Sequence, residues 1–295
     1  MHISLRQLEV FTAIARHQQV RIAAESLHMS QPAASMALAE LEKQLNTRLF
    51  DRYSNRLTLN DQGQRMLALA CELLGRANDL ENLFLHDSHT LCGSLSIGSS
   101  LTIGSYLLPS IIATMQQEFP GIDGHYSIQN SEKIIDKLLR HELDAALIEG
   151  ICHHPSIEVE PWREDRLLIV ASTDHPLTKE PGSSAQQLAA YPWIVRETGS
   201  GTRALFDYAI ASKLPRIQIL LELEQTEAIK QAVMAGLGLA CLSELAVTDA
   251  INEGKLSLIE TPFLDLKRHF YLLTHHNQHR KPTLEAFLGL CHSHR

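Results

Sequence analysis

Cysteines are few and scattered. Five thiols at positions 71, 92, 152, 241 and 291, odd in number along 295 residues, exclude a disulfide framework and fit reduced side chains. Long hydrophobic runs are missing as well. Nothing approaches the roughly 20 apolar residues that span a bilayer, and the N-terminus has no secretory pattern, so the expected location is the cytoplasm, with no membrane partner. Catalytic signatures are also lacking. There is no Gly-x-Ser-x-Gly elbow, no Walker phosphate loop and no His-Glu-x-x-His, and Gly199-Ser200-Gly201 reads as a turn. Spacing reveals no nucleophile–base pair, so no enzyme is expected. Positive charge is short overall, with a net charge of −8 that argues at first against a nucleic-acid partner. Its distribution decides otherwise. Residues 1–60 carry Arg6, Arg16, Arg21, Lys43, Arg48, Arg52 and Arg56 against five acids, a net +2 that leaves −10 for the remainder. A mildly basic head on an acidic body is compatible with DNA.

What is present begins at Arg21. Helix formers through Leu27 are broken by His28-Met29, and Ser30 then offers an oxygen to the amides of a new first turn. Pro32 sits in that turn, where its missing N–H costs nothing. Ala33, Ala34, Met36, Ala37, Leu38 and Leu41 then line the side expected to meet the other helix. Two helices around a short turn make a helix-turn-helix, whose second helix enters the major groove. Gln31 can bond an adenine through both amide atoms, Ser35 can bond one turn later, and Ala34 can touch a thymine methyl. Leu49–Arg52 and Arg56–Leu59 alternate like two short strands around Tyr53-Ser54-Asn55, a wing whose Arg52 and Arg56 can reach phosphate or the minor groove. The DNA-binding set is therefore Ser30, Gln31, Ala34, Ser35, Arg52 and Arg56.

These residues resemble the LysR-type transcriptional regulators. The likeness is carried by Leu5-Arg6-Gln7-Leu8-Glu9-Val10-Phe11, Ala23-Ala24, Ser30 to Ser35, Leu41-Glu42, Leu49-Phe50-Asp51-Arg52 and the later Ala235-Gly236-Leu237-Gly238. Gln19 and Val20 depart from the small or hydroxyl residues usual there, which leaves the second helix without its usual cap. Asn46 replaces a common glycine and tolerates the left-handed conformation.

Along the chain, residues 4–17 form an opening helix with Leu5, Leu8, Phe11, Thr12 and Ala15 at helical spacing, Phe11 being read as core. Asn60 caps a long helix to about Leu85, whose Met66, Ala70, Leu73, Ala77, Leu80 and Phe84 make a heptad seam that calls for a partner helix, while Leu67, Leu74 and Leu83 widen the face and leave packing on its own domain as the alternative. The resemblance implies that this linker pairs two subunits. A homodimer on two-fold related double-stranded DNA is expected, with tetramers and RNA polymerase as further associations. A polar junction from His86 to Gly93 reads as a hinge. Beyond it, strands at Ser94–Ser99, Gly124–Gln129, Ala145–Ile148, Arg166–Ala171, Trp193–Val195, Ile217–Leu223 and Leu239–Leu242 alternate with helices at Ile103–Phe119, Ser131–Arg140, Thr202–Ser212 and Thr226–Ala235. Such alternation argues for α/β units with parallel strands. The chain is expected to recross near Leu258–Thr261, with Phe270–Leu273 and Thr283–Cys291 closing the first lobe. The fold class is thus α/β: a winged helix-turn-helix (1–60), a linker helix and hinge (61–90), and a two-lobed effector domain (91–295) resembling periplasmic binding proteins. Its lobes are 91–164 with 262–295, and 165–261.

Ligands of open α/β sheets sit at strand C-termini beside helix N-termini. Ser99, Ser100, Thr102, Asn130, Glu149, Gly199, Ser200, Thr202 and Thr226 occupy such junctions from both lobes. Each hydroxyl taken singly is an ordinary helix cap; their convergence favours an anion site, with Ser100, Thr102, Thr202 and Thr226 bonding it beside the amides of Gly199 and Ser200. Glu149 would repel an anion unless paired, Arg196 and Arg203 being the candidates. Ile103–Pro109 and Ile148-Glu149-Gly150 look most like sulfur-assimilation regulators within the family, which implies sulfite, sulfate or a small carboxylate as effector and no bound cofactor. Cys152-His153-His154, His275-His276 with His279, and Cys291-His292 with His294 leave one alternative, a metal-responsive regulator, although none has the paired-cysteine spacing of a structural zinc site.

Overall fold

The computed structural model describes residues 2–294 except 54–55, 86–90, 151, 180–181, 212, 215, 277 and 279; the side chains of 52–53, 78–79 and 81–85 also lie outside the description. Ser54 and Asn55 of the expected wing turn, the hinge residues His86, Asp87, Ser88, His89 and Thr90, the linker side chains of Leu83 and Phe84, and Ser212 and His279 therefore lie outside the described residues.

The head is built from helices with legible ends. The Ser4 hydroxyl accepts the Gln7 N–H at 3.2 Å while the Gln7 side chain accepts the Ser4 N–H at 2.8 Å, a capping box that opens α1, Leu5–His17. Helix α2, Val20–Ser26, starts at Gln19 with no side-chain cap, as the missing hydroxyl implied. His28 turns left-handed at φ 52°, and the Ser30 hydroxyl then accepts the Ala33 N–H at 3.3 Å to open α3, Gln31–Gln44, with Pro32 in its first turn. Asn46 is left-handed at φ 49°. Strands β1, Phe50–Tyr53, and β2, Arg56–Leu59, pair antiparallel, and Asn60 accepts the Gly63 N–H at 2.9 Å at the start of α4, Asp61–Leu85.

Phe11, Ile14, Ala23, Ala34, Leu41 and Leu49 form the head's core, and Leu67 and Ala70 of α4 are buried in it too. The first three turns of α4 thus belong to the head. Of the expected seam, Ala70 turns inward and Met66 packs partly on the same core. The outward stripe is Leu69, Leu73 and Leu80, exposed at 62%, 53% and 61%. The packing face of α3 is also narrower than expected, because Ala33 and Met36 face solvent while Ala34, Leu38 and Leu41 face inward.

The rest of the chain makes one long sheet with helices on both faces. Its first part runs β3, Cys92–Ser99; α5, Leu101–Tyr106; α6, Leu108–Glu118; β4, Gly121–Ile128; α7, Ser131–Leu139; and β5, Ala145–Glu149. A 16-residue strand, β6, Ile157–Ser172, leads on to α8, Ala185–Ala189; β7, Pro192–Arg196; α9, Gly201–Ala211; β8, Gln218–Leu223; and α10, Thr226–Met234. Strand β9, Leu239–Ser243, helix α11, Glu244–Asn252, strand β10, Leu256–Ile259, strand β11, Lys267–His275, and helix α12, Pro282–Ser293, complete the chain. The nine strands are ordered β4-β3-β5-β11-β6-β9-β7-β8, with β10 also paired to β6.

Three expectations are corrected. The sheet is mixed: β3 is parallel to β4 and β5, and β7 to β8 and β9, but β6 and β11 run antiparallel to their neighbours because they carry the chain out and back. The helix expected over 103–119 is two, divided at Leu107, with Pro109 placed in the first turn of α6 where it needs no N–H. The stretch near Leu258 does not recross. As β10 it pairs with the far half of β6, and β11 makes the return.

Gly63 stands where α4 meets the head. A Cβ built there would lie 2.1 Å from the Leu49 carbonyl oxygen. Gly63→Ala is expected to destabilise the chain by about 1–3 kcal/mol through this overlap, although alanine is the better helix former. Urea unfolding followed by helical circular dichroism measures it, and a raised midpoint would contradict the overlap.

Candidate functional site

The exposed leading edge of α3 carries Ser30, Gln31 and Ser35, with Gln31 and Ser35 one turn apart. Neither the Gln31 amide nor the Ser35 hydroxyl has a hydrogen-bond partner among the described residues, so both are available to an incoming base edge. Ala34 is different. It is fully buried against the other helices, which rules out the expected touch on a thymine methyl. Arg56 is exposed at the start of β2; the side chain of Arg52 lies outside the described residues. Arg6 and Arg21 are spent on local pairs with Glu9 at 2.8 Å and Glu25 at 2.7 Å. Glu42 accepts the Leu49 N–H at 2.7 Å and so ties the wing to the end of α3.

The second constellation lies where the lobes meet. In the first lobe, the hydroxyls of Ser100 and Thr102 both donate to the Glu149 carboxylate, Thr102 at 3.3 Å, and Ser131 donates to the Glu149 carbonyl at 2.9 Å. All four residues are buried. The Glu132 N–H reaches from this lobe to the Gly199 carbonyl of the second at 3.2 Å. A Cβ at Gly201 would lie 2.1 Å from the Glu149 carbonyl oxygen, so only glycine lets α9 begin hard against the end of β5. Ser99 donates to the neighbouring Ser100 carbonyl at 3.1 Å, and Asn130 caps α7 by accepting the Lys133 N–H at 3.0 Å. Those two fulfil the ordinary local role. Thr226 is half-buried at the start of α10 and joins none of the other hydroxyls among the described residues.

Glu149 is not paired as expected. Arg196 instead bonds Glu197 at 2.8 and 3.0 Å, and Arg203 bonds Asp207 at 2.8 Å, Glu222 at 3.0 Å and the Arg196 carbonyl at 2.8 Å. The cation that does enter the cleft is Arg268 of β11. It donates through Nε to Asp165 at 2.7 Å and through Nη1 to Thr202 at 3.0 Å, while Ser243 donates to the other Asp165 oxygen at 2.9 Å. Arg268, Asp165 and Ser243 escape the sequence reading, because the expected strand begins only at Phe270. In the structure Arg268, Phe270 and Leu272 are buried at period two, so extending the alternation of Phe270 and Leu272 back by one step reaches Arg268.

Residues 5–64 match the family model described as bacterial regulatory helix-turn-helix protein, lysR family, and residues 88–295 match the LysR substrate binding domain. The chain belongs to the LysR family of transcriptional regulators. Membership makes it a DNA-binding regulator and not an enzyme. Over 291 residues it is 40% identical to a protein of Escherichia coli K12 named uncharacterized HTH-type transcriptional regulator YeiE, covering 99% of this chain and 98% of that one. Among solved structures it is similar to a full-length OxyR variant from Pseudomonas aeruginosa, with a TM-score of 0.73, 23% identity and coverage of 99% and 98%. The regulatory domain of Synechocystis CcmR, solved in complex with 2-PG, aligns with a TM-score of 0.64 at 24% identity, covering 68% of this chain and 96% of that one. Effector domains of this fold bind small molecules.

In this LysR-type regulator burial lowers the His275 pKa, and His276 and His154 lie close enough to lower it further. Among the described residues, no group of three His, Cys, Asp or Glu side chains is placed to hold a metal ion. The Cys291 carbonyl accepts the Trp162 indole N–H at 2.6 Å, and burial pushes the Cys291 thiol up to about 12. His292 is bonded to Glu160 at 3.0 Å. No helix among the described residues is long and apolar enough to cross a membrane.

His141, on the turn before β5, stacks on His275 at 4.2 Å between ring centroids, and burial, with His275 beside it, lowers its pKa to about 4. The neutral ring is the folded form. An unfolded histidine titrates near 6.5, so this contribution is complete above that pH, drains away as the pH falls towards 4 and changes no further below. Thermal melts of the wild type between pH 7 and 4 should decline more steeply than those of His141→Asn, which keeps the left-handed turn. Parallel curves would remove His141 as the cause.

Proposed function

We propose that this LysR-type regulator reads operator DNA through Gln31 and Ser35 of α3, assisted by Arg52 and Arg56 of the wing, and that a small anion in the interlobe cleft modulates that binding. The proposed division is the head at 1–60, the linker at 61–90 and the effector domain at 91–295. The observation that carries the cleft reading is the convergence of buried polar groups from both lobes, Ser100, Thr102 and Ser131 of the first and Ser200 and Thr202 of the second, with Arg268 of β11 bonded to Thr202. Glu149 satisfies the first three hydroxyls, whereas the Ser200 hydroxyl and Arg268 Nη2 are buried without a partner among the described residues, which is costly unless a ligand meets them. Sulfite, sulfate or a small carboxylate are the anions favoured. The complex of the CcmR domain with 2-PG supports a small-molecule ligand on this fold. The exposed leucine stripe of α4, Leu69, Leu73 and Leu80, supports pairing of two subunits, which places two α3 helices on a two-fold related site. The acidic body repels the duplex and leaves contact to the head.

Two measurements test this. Gln31→Ala should weaken specific binding by about 1–3 kcal/mol more than non-specific binding, read by competition with scrambled DNA at fixed salt. Equal losses on both would remove the base-reading role. Calorimetric titration of the full chain with sulfite, sulfate and acetate should give heat with at least one of them and a shifted DNA footprint on its addition; silence from all three up to millimolar concentration removes these three as effectors.

A further inference from the structure

The buried charges of the cleft do not balance and its donors are not all used. Arg268 is 8% exposed and spends Nε on Asp165 and Nη1 on Thr202, yet its Nη2 is buried without a partner among the described residues. The Ser200 hydroxyl is 2% exposed and equally without a partner among them. Both donors belong to residues around Gly201, at the N-terminal end of the 11-residue helix α9: Ser200 precedes it, and Arg268 bonds Thr202, which follows it. Glu149 lies against the same point, since a Cβ at Gly201 would come within 2.7 Å of its Cγ. A cavity of about 250 Å³ is lined by Glu149, Ser131 and Ser200 together, and a neighbouring one of about 440 Å³, lined by Arg268, shares Gly150 and Gly201 with it. A void of the first size takes a molecule of a few heavy atoms.

Resting on the cleft reading above, we propose that Arg268 is the charge-recognition residue of the site, and that its ligand is a small monoanion carrying a hydroxyl of its own. Formal charge decides the first half. Asp165 already pairs with the Arg268 guanidinium and Glu149 adds a further carboxylate, so each negative charge on a ligand is opposed in a poorly solvated site and a monoanion is opposed less than a dianion. Hydrogen-bond accounting decides the second. The free Arg268 Nη2 and the Ser200 hydroxyl can both donate and call for acceptor oxygens. The Glu149 carboxylate already accepts two hydroxyls, has acceptor capacity left, and can only be met by a donor. A hydroxy carboxylate satisfies both sides at once: its carboxylate faces Arg268 and Ser200, and its O–H faces Glu149. An inorganic dianion offers acceptors to Arg268 and Ser200 but no donor to Glu149, and it brings the second charge.

The test is calorimetric titration of the full chain with sodium glycolate, acetate and sulfate at neutral pH. Glycolate should bind at least about tenfold more tightly than either of the others, acetate lacking the donor and sulfate carrying the second charge. Arg268→Gln should weaken glycolate by roughly ten- to hundredfold, with Arg268→Lys intermediate because it keeps the charge and loses the fork. Should the single variant fail to fold, Asp165→Asn with Arg268→Gln removes the stranded carboxylate, and thermal melting checks it. Acetate or sulfate matching glycolate overturns the ligand class. Wild-type affinity in the Arg268 variants, while Ser200→Ala or Thr202→Val abolishes binding, overturns the assignment and leaves the cleft reading standing. No heat from any of the three in the wild type overturns both.

Discussion

Both lobes hang on one pair of strands. Strands β6 and β11 run antiparallel from Lys267 opposite Arg166 to His275 opposite Ile157, and each crosses from one lobe to the other. Among the described residues no other strand serves both halves, so the cleft can open only by bending this pair where they cross. Arg268 and Asp165 face each other in register at that crossing. A buried ion pair adds little net stability, because removing both ions from water offsets their attraction. Its effect is geometric: it holds the two strands, and through Thr202 the start of α9, at a fixed separation.

This constraint explains why the site residues come from such distant positions. Ser100 and Glu149 are 49 positions apart, and Arg268 and Asp165 are 103 apart, yet each pair is hydrogen bonded. Parallel strands on either side of the crossing bring their C-terminal ends to the same line, and the hydroxyls follow. Glycine at 201 removes the last obstacle to close approach.

How much of this was legible depended on whether the deciding contact was local. Ser30 with Pro32, Asn46 and Asn60 declared themselves because capping and left-handed turns are settled within a few residues. The inward place of Ala34 was also readable, since Ala34, Leu38 and Leu41 follow helical spacing; naming Ala34 a base contact ignored that phase. The first half of β6 was not readable. Its charged alternation and Pro161 look unlike a strand, and only the irregularity of pairing between Phe270 and Tyr271 lets a residue with no N–H stay in the sheet. Arg268 was lost for a related reason, lying beyond the apolar run that marked its strand. The pairing of Arg196 with Glu197 rather than Glu149 depends on neighbours that no spacing rule supplies.

The burial of Leu67 and Ala70 in the head has a mechanical consequence. A rod whose near end is packed into a solid core has no joint there, so twist applied further along is delivered undiminished to the face that carries Gln31. The head and the near end of that rod therefore move as one body, and any turning of α4 changes the direction in which the face with Gln31 points while leaving its shape alone.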